Sequence, residues 1–334
     1  ALHPKYRSTS RPKFILKEQN KAKEFLTRHI EACLTNNYKE INIITLGIGG
    51  SYEGPKLLLE AFNKPIFIRS SEFDRINFKF ITGSDLIEFE HKLNSLNPEN
   101  TFFVVLSKSF TTDETIENLK LAFHWSNDKN KFIAITANPS EAKKYGIKEV
   151  IKYDKEIGGR YSIWSPVSQF YLFEDDFIKF AEGGNQADID IQENKKYLEF
   201  VKKLSYRDIY LNDKGINSRA IFSYIWNLRS LPNYFQQLEM ESLGKPINPK
   251  SRFKKTGQII YGGYGPRAQH SYFQLLHQGT AQFCTDIIYH PVKHSPLSSA
   301  QAIAQAKLLA LRNRFSSDPK ESTNSNSPVN LFML

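Results

Sequence analysis

The stretch INIITLGIGGSYEGP, residues 41–55, decides the fold class. It opens with an apolar, β-branched run typical of a buried strand, and it then turns through Gly47, Gly49 and Gly50. The same order of features returns in FFVVLSKSFTTDET, residues 102–115. Apolar strands that alternate with polar turns and helical patterns predict a parallel sheet covered by helices on both faces.

Further segments continue this alternation. IFIRS at 66–70, KFIAITANPSEAKKYG at 131–146 and EVIKYD at 149–154 extend the first cycle, which follows an amphipathic helix predicted over 19–36. A second cycle begins near residue 216, with strand candidates in NSRAIFSYI, QIIYGGYG and CTDIIYHPV. We therefore predict an α/β protein with two tandem three-layer α/β/α sandwich domains, each with a parallel sheet.

The order of these cycles also predicts domain boundaries. We expect the first domain at 1–170, a helical connection at 171–215 and the second domain at 216–310. Residues 311–334 are rich in Ser and Asn and lack periodicity, so they are predicted to form an irregular tail. The closing VNLFML also fits the edge of a core strand.

Composition narrows the classes of function. The 334 residues are 40% hydrophobic and contain no run of about 18 apolar residues, so no membrane span is expected. Only two cysteines occur, Cys33 and Cys284, which indicates a reduced, cytoplasmic setting. The 45 basic residues exceed the 35 acidic ones by 10, but the two kinds are interleaved and no nucleic-acid motif occurs. Sequence-specific nucleic-acid binding is therefore not expected, and the charge is compatible with steering of a small anionic substrate without being diagnostic of it.

Hydroxyl side chains cluster in LSKSFTTDET, residues 106–115. Ser107, Ser109 and Thr112 lie with Lys108 where the predicted strand ends and a helix begins. The carboxyl edge of a parallel sheet is where α/β proteins bind ligands, and helix N-terminal amides with added hydroxyls can hold a phosphate. A group of ordinary helix N-caps is the alternative explanation.

Two glycine-containing turns are further candidates for ligand contact. Gly49 and Gly50 would let the backbone approach an anion or a sugar, although a plain strand-to-helix turn explains them equally well. In GGRYSIWSP, residues 158–166, Arg160 follows two glycines and is either a ligand-binding arginine or a surface one.

Two helical patterns carry titratable side chains. Gln237, Glu241 and Lys245 are four residues apart and share one face of a predicted helix. A carboxylate there could act as a general base, and an ordinary solvated face is the alternative. In QHSYFQLLHQGT, His270 and His277 are seven residues apart on one predicted helix face, where one could act as an acid or base. Zinc would need histidines at i,i+4 and a third ligand, so no metal is expected.

Five of these stretches occur in an order that resembles the glucose-6-phosphate isomerase (phosphoglucose isomerase) family. They are GIGGSYEGP, VVLSKSFTTDET, GGRYSIWSP, QQLEMESLGK and QHSYFQLLHQGT. The resemblance implies two sugar-isomerase (SIS-type) domains and the interconversion of glucose 6-phosphate and fructose 6-phosphate, a step of glycolysis and gluconeogenesis. It implies a cis-enediolate intermediate and neither a metal nor an organic cofactor.

The resemblance also implies where the substrate phosphate binds. Ser107, Ser109 and Thr112 would hold it, helped by Lys108 and by the turn Gly50–Ser51.

The resemblance assigns the remaining roles to five residues. Glu241 would be the base that moves a proton between C1 and C2, and Arg160 would stabilise the enediolate. Gln237 and Gly159 would line the sugar. His270 would reach in from the second subunit of a homodimer and help to open the ring.

The sequence departs from the family pattern at several positions. Glu53 stands where Leu is usual, Leu243 where Asn is usual, and PRAQH replaces a Thr-Asn-Gly before the Gln-His. Glu239 is expected to be an ordinary charge. No segment resembles the lysine-bearing C-terminal stretch of the family, so we expect a C-terminally shortened member. The alternatives are a non-catalytic or degenerate sugar-phosphate-binding paralogue and an isomerase of a different phosphosugar.

Overall fold

A computed structural model of the chain describes residues 6–7, 12–62, 75–172, 174–291, 296–311, 318, 320–323 and 326–334. The strand predicted at 66–70 lies outside these residues. The chain divides into two compact units, residues 1–189 and 190–334. Each unit contains its own parallel sheet, so the predicted α/β fold class is confirmed.

The first unit alternates helices with strands along its described residues. Its elements are α1 (Pro12–Thr35), β1 (Glu40–Leu46), α2 (Glu53–Phe62), β2 (Arg75–Ile81), α3 (Leu86–Leu93), β3 (Thr101–Leu106), α4 (Asp113–Ser126), β4 (Phe132–Thr136), α5 (Pro139–Lys144), β5 (Glu149–Lys152), α6 (Pro166–Gln169) and α7 (Glu174–Glu193). The strands pair in parallel in the order β2-β1-β3-β4-β5. Helical connections between parallel strands place helices on both faces of this sheet.

The two faces of the first sheet contribute to two different apolar cores. In β3, which is buried along its whole length, Phe102 and Val104 pack in one cluster with Phe25 of α1. The alternate residue Phe103 packs in the other cluster with Leu119 of α4. Because successive side chains of a strand point to opposite faces, this split gives the three layers that the buried apolar runs predict.

The second unit repeats the plan with fewer strands. Its elements are α8 (Lys195–Asp213), β6 (Ser218–Ser223), α9 (Leu231–Leu243), β7 (Ile259–Tyr264), α10 (Gly265–Gln269), α11 (Phe273–Gln278), β8 (Cys284–Tyr289), α12 (Pro296–Leu311) and β9 (Val329–Met333). The strands pair in parallel in the order β7-β6-β8-β9. Residues of α9 pack on one face of this sheet, and residues of α11 and α12 pack on the other.

The end of the chain differs from the predicted irregular tail at 311–334. Residues 329–333 form β9, which pairs in parallel with β8, so the prediction is wrong for these residues. The composition of residues 311–334 indicated an irregular tail because β9 is only five residues long and follows Ser- and Asn-rich sequence. Its strand conformation depends on hydrogen bonds to β8, which a local pattern does not reveal.

The described helices and cysteines bear on two further expectations. None of the described helices combines the length and the apolar character needed to cross a bilayer. Cys33 and Cys284 are both buried and free.

Candidate active site

From the strand order of the first sheet, a ligand-binding crevice is expected at β1 and β3. Connections from these neighbouring strands lead to opposite sides, since β2 lies beyond β1 and β4 lies beyond β3. In open parallel sheets, ligands bind outside the carboxyl ends of the strands at such a point. A side chain on Gly47, directly after β1, would come within 3.0 Å of the carbonyl oxygen of Leu106, the last residue of β3. The glycine turn and the hydroxyl loop therefore start side by side.

The glycine turn is packed against the segment that carries Arg160. A Cβ atom on Gly50 would lie 2.1 Å from the carbonyl oxygen of Gly159, so only glycine fits at position 50. Ser162 Oγ donates to the carbonyl oxygens of Gly50, at 3.2 Å, and of Gly159, at 2.6 Å. These contacts fix two predicted site segments, about 110 residues apart in sequence, against each other.

The hydroxyl loop is held together by its own hydrogen bonds. The Ser107 and Thr112 hydroxyls are 3.2 Å apart, and the Phe110 amide donates to Ser107 Oγ at 3.1 Å. Ser109 Oγ accepts from the Thr111 amide at 3.2 Å and from the Thr111 hydroxyl at 2.7 Å. Since Ser109 Oγ accepts both of these bonds, its own hydroxyl hydrogen is available for a ligand.

Phe110 fixes the shape of this loop. Its side chain is fully buried, with its ring centroid 5.9 Å from that of Tyr145, and its φ is +60°. A bulky residue in this left-handed region is rare and costs roughly 1–3 kcal/mol. The carbonyl oxygen of Lys108 accepts from Thr136 Oγ1 and from the Ala137 amide, both at 3.1 Å. The loop is therefore held in an unfavourable backbone conformation by buried packing and by the end of β4.

The start of α4 bears on the N-cap alternative. Thr112 occupies the N-cap position, but its side chain makes no capping hydrogen bond. Instead its hydroxyl bonds to Ser107. The hydroxyl cluster is therefore not explained by capping from Thr112, and the first amides of α4 lack that partner.

Arg160 lies in the 3₁₀ segment Gly159–Trp164. Its guanidinium carbon is 4.9 Å from the ring centroid of Tyr161, within the range of a cation–π contact. The side chain is partly exposed. Stacking on a neighbouring ring limits the directions in which this guanidinium can point.

In the second unit, Gln237 and Glu241 lie together on α9. Gln237 Nε2 donates to Glu241 Oε2 at 3.3 Å, and Glu241 is exposed. The other end of the Gln237 amide, Oε1, is buried and has no hydrogen-bond partner among the described residues. A buried amide oxygen without a partner is unfavourable, so this atom is suited to accept a bond from a ligand hydroxyl.

The histidines do not share one helix. His270 is the C-cap residue directly after α10, and a turn over 270–272 precedes α11, so the predicted single helix face for His270 and His277 is wrong. His277 Nε2 is 2.7 Å from Gln305 Oε1, and burial lowers the pKa of His277. His270 is exposed.

Glu239 was missed by sequence reasoning. Its carboxylate forms an ion pair with the buried Arg219 of β6, so its expectation as an ordinary charge is wrong. The two residues are 20 positions apart on different elements, and no local pattern marks the pair.

Other possible sites are less suited to ligand chemistry. Among the described residues, no three His, Cys, Asp or Glu side chains are grouped so that they could hold a metal ion. A surface groove of about 590 Å³ is lined by residues that include His91 and Trp125, but by none of the predicted site residues.

Most of the chain matches known proteins. The family model described as phosphoglucose isomerase matches residues 15–319. The chain belongs to the phosphoglucose isomerase family. Glucose-6-phosphate isomerase of Shewanella frigidimarina (strain NCIMB 400) is 35% identical over 276 residues, which cover 77% of this chain and 49% of that protein. The chain thus spans about half the length of the first curated relatives it matches.

Solved structures agree with this family assignment. The crystal structure of a glucose-6-phosphate isomerase from Chlamydia trachomatis has a TM-score of 0.77 and 26% identity, over 99% of this chain and 68% of that chain. A hypothetical protein from Thermus thermophilus has a TM-score of 0.70 and 21% identity, over 100% of this chain and 83% of that chain. The second likeness concerns the fold alone.

Glu53, at which the sequence is expected to depart from the family pattern, begins α2 directly after the glycine turn. Its Oε2 atom is buried and has no hydrogen-bond partner within the described part of the chain. Burial raises the pKa of this carboxyl, against the opposing effect of Lys56. Glu53 thus places a partly buried carboxyl beside the loop predicted to meet the substrate.

Proposed function

We propose that this chain carries the activity of a glucose-6-phosphate isomerase, the interconversion of glucose 6-phosphate and fructose 6-phosphate. Its membership of the phosphoglucose isomerase family is the observation that carries the proposal. We further propose that it acts in the cytoplasm, in glycolysis and gluconeogenesis, as a homodimer and without a metal or organic cofactor.

The phosphate group would bind at the carboxyl edge of the first sheet. Ser107, Ser109 and Thr112 would donate hydroxyl hydrogens to it, with Lys108 and the turn Gly50–Ser51 as further partners. The available hydroxyl hydrogen of Ser109 and the uncapped start of α4 support this role. Binding at the phosphate, remote from the reacting carbons, would orient C1 and C2.

Glu241 would act as the base in the isomerisation. Its carboxylate takes the proton from C2 of the open-chain aldose, and the electron pair forms the C1–C2 double bond as the C1 carbonyl oxygen becomes anionic. The proton then returns to C1 while the C2 carbonyl forms, and the proton on O2 passes to O1. A carboxylate is suited to this transfer because it accepts and returns one proton at a fixed position.

The remaining side chains would support this intermediate. Arg160 would stabilise the negative charge of the enediolate through its guanidinium. Gln237, whose buried amide oxygen has no partner among the residues that the structure describes, and Gly159 would line the sugar. His270, contributed by the other subunit of the homodimer, would assist ring opening, for which its exposure in the single chain is suitable.

Steady-state kinetics of Glu241→Gln tests the proposal. In an assay that couples glucose 6-phosphate to its oxidation, the wild type should convert fructose 6-phosphate, and Glu241→Gln should lose turnover by at least about 1,000-fold. Its affinity for fructose 6-phosphate, measured by calorimetry, should change little. Glu199→Gln, which alters an exposed glutamate of α8, is the matched control and should keep full turnover.

Two outcomes would contradict the proposal. A folded wild type that binds fructose 6-phosphate without converting it would be the non-catalytic sugar-phosphate-binding paralogue. Unchanged turnover in Glu241→Gln would exclude this residue as the base.

A further inference from the structure

The helix that carries Glu241 is anchored to its sheet by apolar contacts. Leu231, Phe235 and Met240 of α9 pack on the core cluster formed by Ile221, Ile260 and Ile288 of the second sheet. These contacts hold the helix onto the sheet. Apolar contacts are not directional, so by themselves they define the rotation of a helix about its axis poorly.

Two side chains of α9 bond to the backbone of β7. This strand is at the edge of the sheet. Gln236 Nε2 donates to the carbonyl oxygen of Ile260 at 2.7 Å, and the Ile260 amide donates to Met240 Sδ at 3.4 Å. Gln236 and Met240 are one helical turn apart and contact the same residue, so they define one line along α9.

A third, ionic contact joins α9 to the centre of the sheet. Arg219 of β6 is 4% exposed, and its Nη2 atom pairs with Glu239 Oε1. Its Nη1 atom donates to Asp208 Oδ2 of α8 at 2.5 Å, and Asp286 of β8 lies 3.7 Å from its Nε atom. Glu239 is the member of this group that belongs to α9.

The ionic group and the apolar cluster share one face of the sheet. Arg219 and Ile221 are two residues apart in β6, as are Asp286 and Ile288 in β8, and side chains at this spacing point to the same side. This face is therefore apolar near the carboxyl ends of β6 and β8, and it is ionic two residues earlier in each strand. Glu239 meets the ionic part, which determines the position of α9 along the sheet as well as its rotation.

The count of charges shows that Glu239 is not needed for neutrality. Two arginines, Arg207 and Arg219, face Asp208 and Asp286, which already balance them. Glu239 adds a third carboxylate in spite of the cost of its burial, which raises its pKa, while Arg219 opposes that rise. A surplus carboxylate that is partly buried and nonetheless paired calls for a reason other than charge balance.

We propose that Glu239, through its ion pair with Arg219, is a positioning residue for Glu241. This inference rests on the proposed function, since it assigns Glu239 a role in the same reaction. Along a helix, residues two positions apart point about 200° away from each other. Glu239, Gln236 and Met240 of α9 all contact the sheet. Gln237 and Glu241 therefore point away from the sheet.

Asp208 provides a matched comparison, because it pairs with the same arginine but lies on α8. Glu239→Gln and Asp208→Asn each remove one carboxylate from Arg219. We expect kcat for fructose 6-phosphate to fall about 10- to 100-fold in Glu239→Gln and less than about threefold in Asp208→Asn, with KM nearly unchanged in both. Glu239→Asp should recover part of the lost kcat. A purely structural role would lower the melting temperature of both variants and give them equal kcat, which would overturn the proposal.

Hydrogen exchange separates this inference from the proposed function. Amide exchange of the peptide that covers residues 231–243 should speed up in Glu239→Gln and stay near wild type in Asp208→Asn. If the wild type has no turnover, the proposed function fails, and the exchange contrast then decides whether Glu239 anchors α9. Equal exchange in the two variants would overturn the inference whether or not the wild type is active.

Discussion

At the scale of single residues, position 50 of the candidate site requires glycine, which has no side chain. The carbonyl oxygen of Gly159 occupies the space that a Cβ atom at position 50 would need. From the sequence alone, Gly50 is a predicted turn residue and part of the resemblance to the phosphoglucose isomerases. The partner across the contact, Gly159, belongs to a segment that only the folded chain brings near.

Gly50→Ala should destabilise the first unit by about 2 kcal/mol or more, because the backbone of Gly159 must shift to admit a methyl group. It should also weaken binding of fructose 6-phosphate. Gly183→Ala is the control: nothing lies within 4 Å of its Cβ position, and alanine should stabilise α7 by about 0.5–1 kcal/mol. Urea unfolding and calorimetry measure both effects, and equal stability of the two variants would contradict the expectation.

His29 is a residue whose environment predicts a pH dependence. Its ring lies between Phe25, at 4.4 Å, and Phe102, at 4.3 Å, and its buried Nε2 has no hydrogen-bond partner among the described residues. Burial lowers the pKa of His29 to about 4. In the unfolded chain, the pKa of a histidine is about 6.5. Below this pH, His29 therefore binds a proton in the unfolded chain but stays neutral in the folded chain.

The free energy of unfolding therefore has its full value above pH 6.5 and decreases as the pH falls toward 4, because protonation of His29 favours the unfolded chain. With allowance for partial exposure, the loss between pH 7 and pH 5 should be about 1–2 kcal/mol. His29→Gln should lack this component, whereas a change of the exposed His124 to Gln should retain it. Urea unfolding at a series of pH values gives the comparison, and identical pH dependence in wild type and His29→Gln would contradict it.

At the scale of elements, β9 depends on its partner. Phe332 packs on the cluster that contains Ile221 and Ile288, whereas Met333, the next residue, is 65% exposed. The alternation of a half-buried and an exposed side chain is typical of an edge strand. The closing VNLFML is compatible with a strand edge as well as with an irregular tail, and its pairing with β8 decides between the two.

Phe332→Ala should destabilise the second unit by about 2 kcal/mol, since a half-buried aromatic ring loses part of the contacts of a fully buried one. Met333→Ala should change stability by less than about 0.5 kcal/mol. Amide exchange of β8 should rise in the first variant alone, because β9 protects one edge of that strand. Equal exchange in both variants would mean that β9 contributes no protection.

At the scale of the whole molecule, net charge is the property that bears on substrate capture. The 45 basic and 35 acidic residues leave an excess of 10 positive charges, which would attract the proposed sugar phosphate over distances of about the Debye length. Lysines and acids alternate along the chain, so the charge acts as a diffuse field. The same composition explains why a net positive charge did not indicate nucleic-acid binding.

Raising potassium chloride from about 0.05 M to 0.5 M should lower kcat/KM for fructose 6-phosphate several-fold, because the Debye length shortens from about 14 Å to about 4 Å. The value of kcat should remain nearly constant, since the bound substrate is no longer steered. Steady-state kinetics at several salt concentrations tests this. A kcat/KM that is independent of salt would show that the field does not assist capture.

By itself, the sequence determined the fold class and the family of this protein. Apolar runs such as Thr101–Leu106 that alternate with helical patterns predict strands covered by helices on both faces, because both sides of such a strand must be shielded from water. The order of the glycine turn, hydroxyl loop, Arg160 segment and acidic helix then matched one family. The roles of the individual site residues stay predictions.

Only the tertiary structure decided contacts between residues distant in the chain. In the folded chain Gly159 packs against Gly50, and β9 pairs with β8. His270 and His277 lie on either side of a turn, and Glu239 forms an ion pair with Arg219. Periodicity reports which side of an element is apolar, but it does not report what lies on the other side of a contact. That partner is set by packing and by the hydrogen bonds and charges that burial requires to be satisfied.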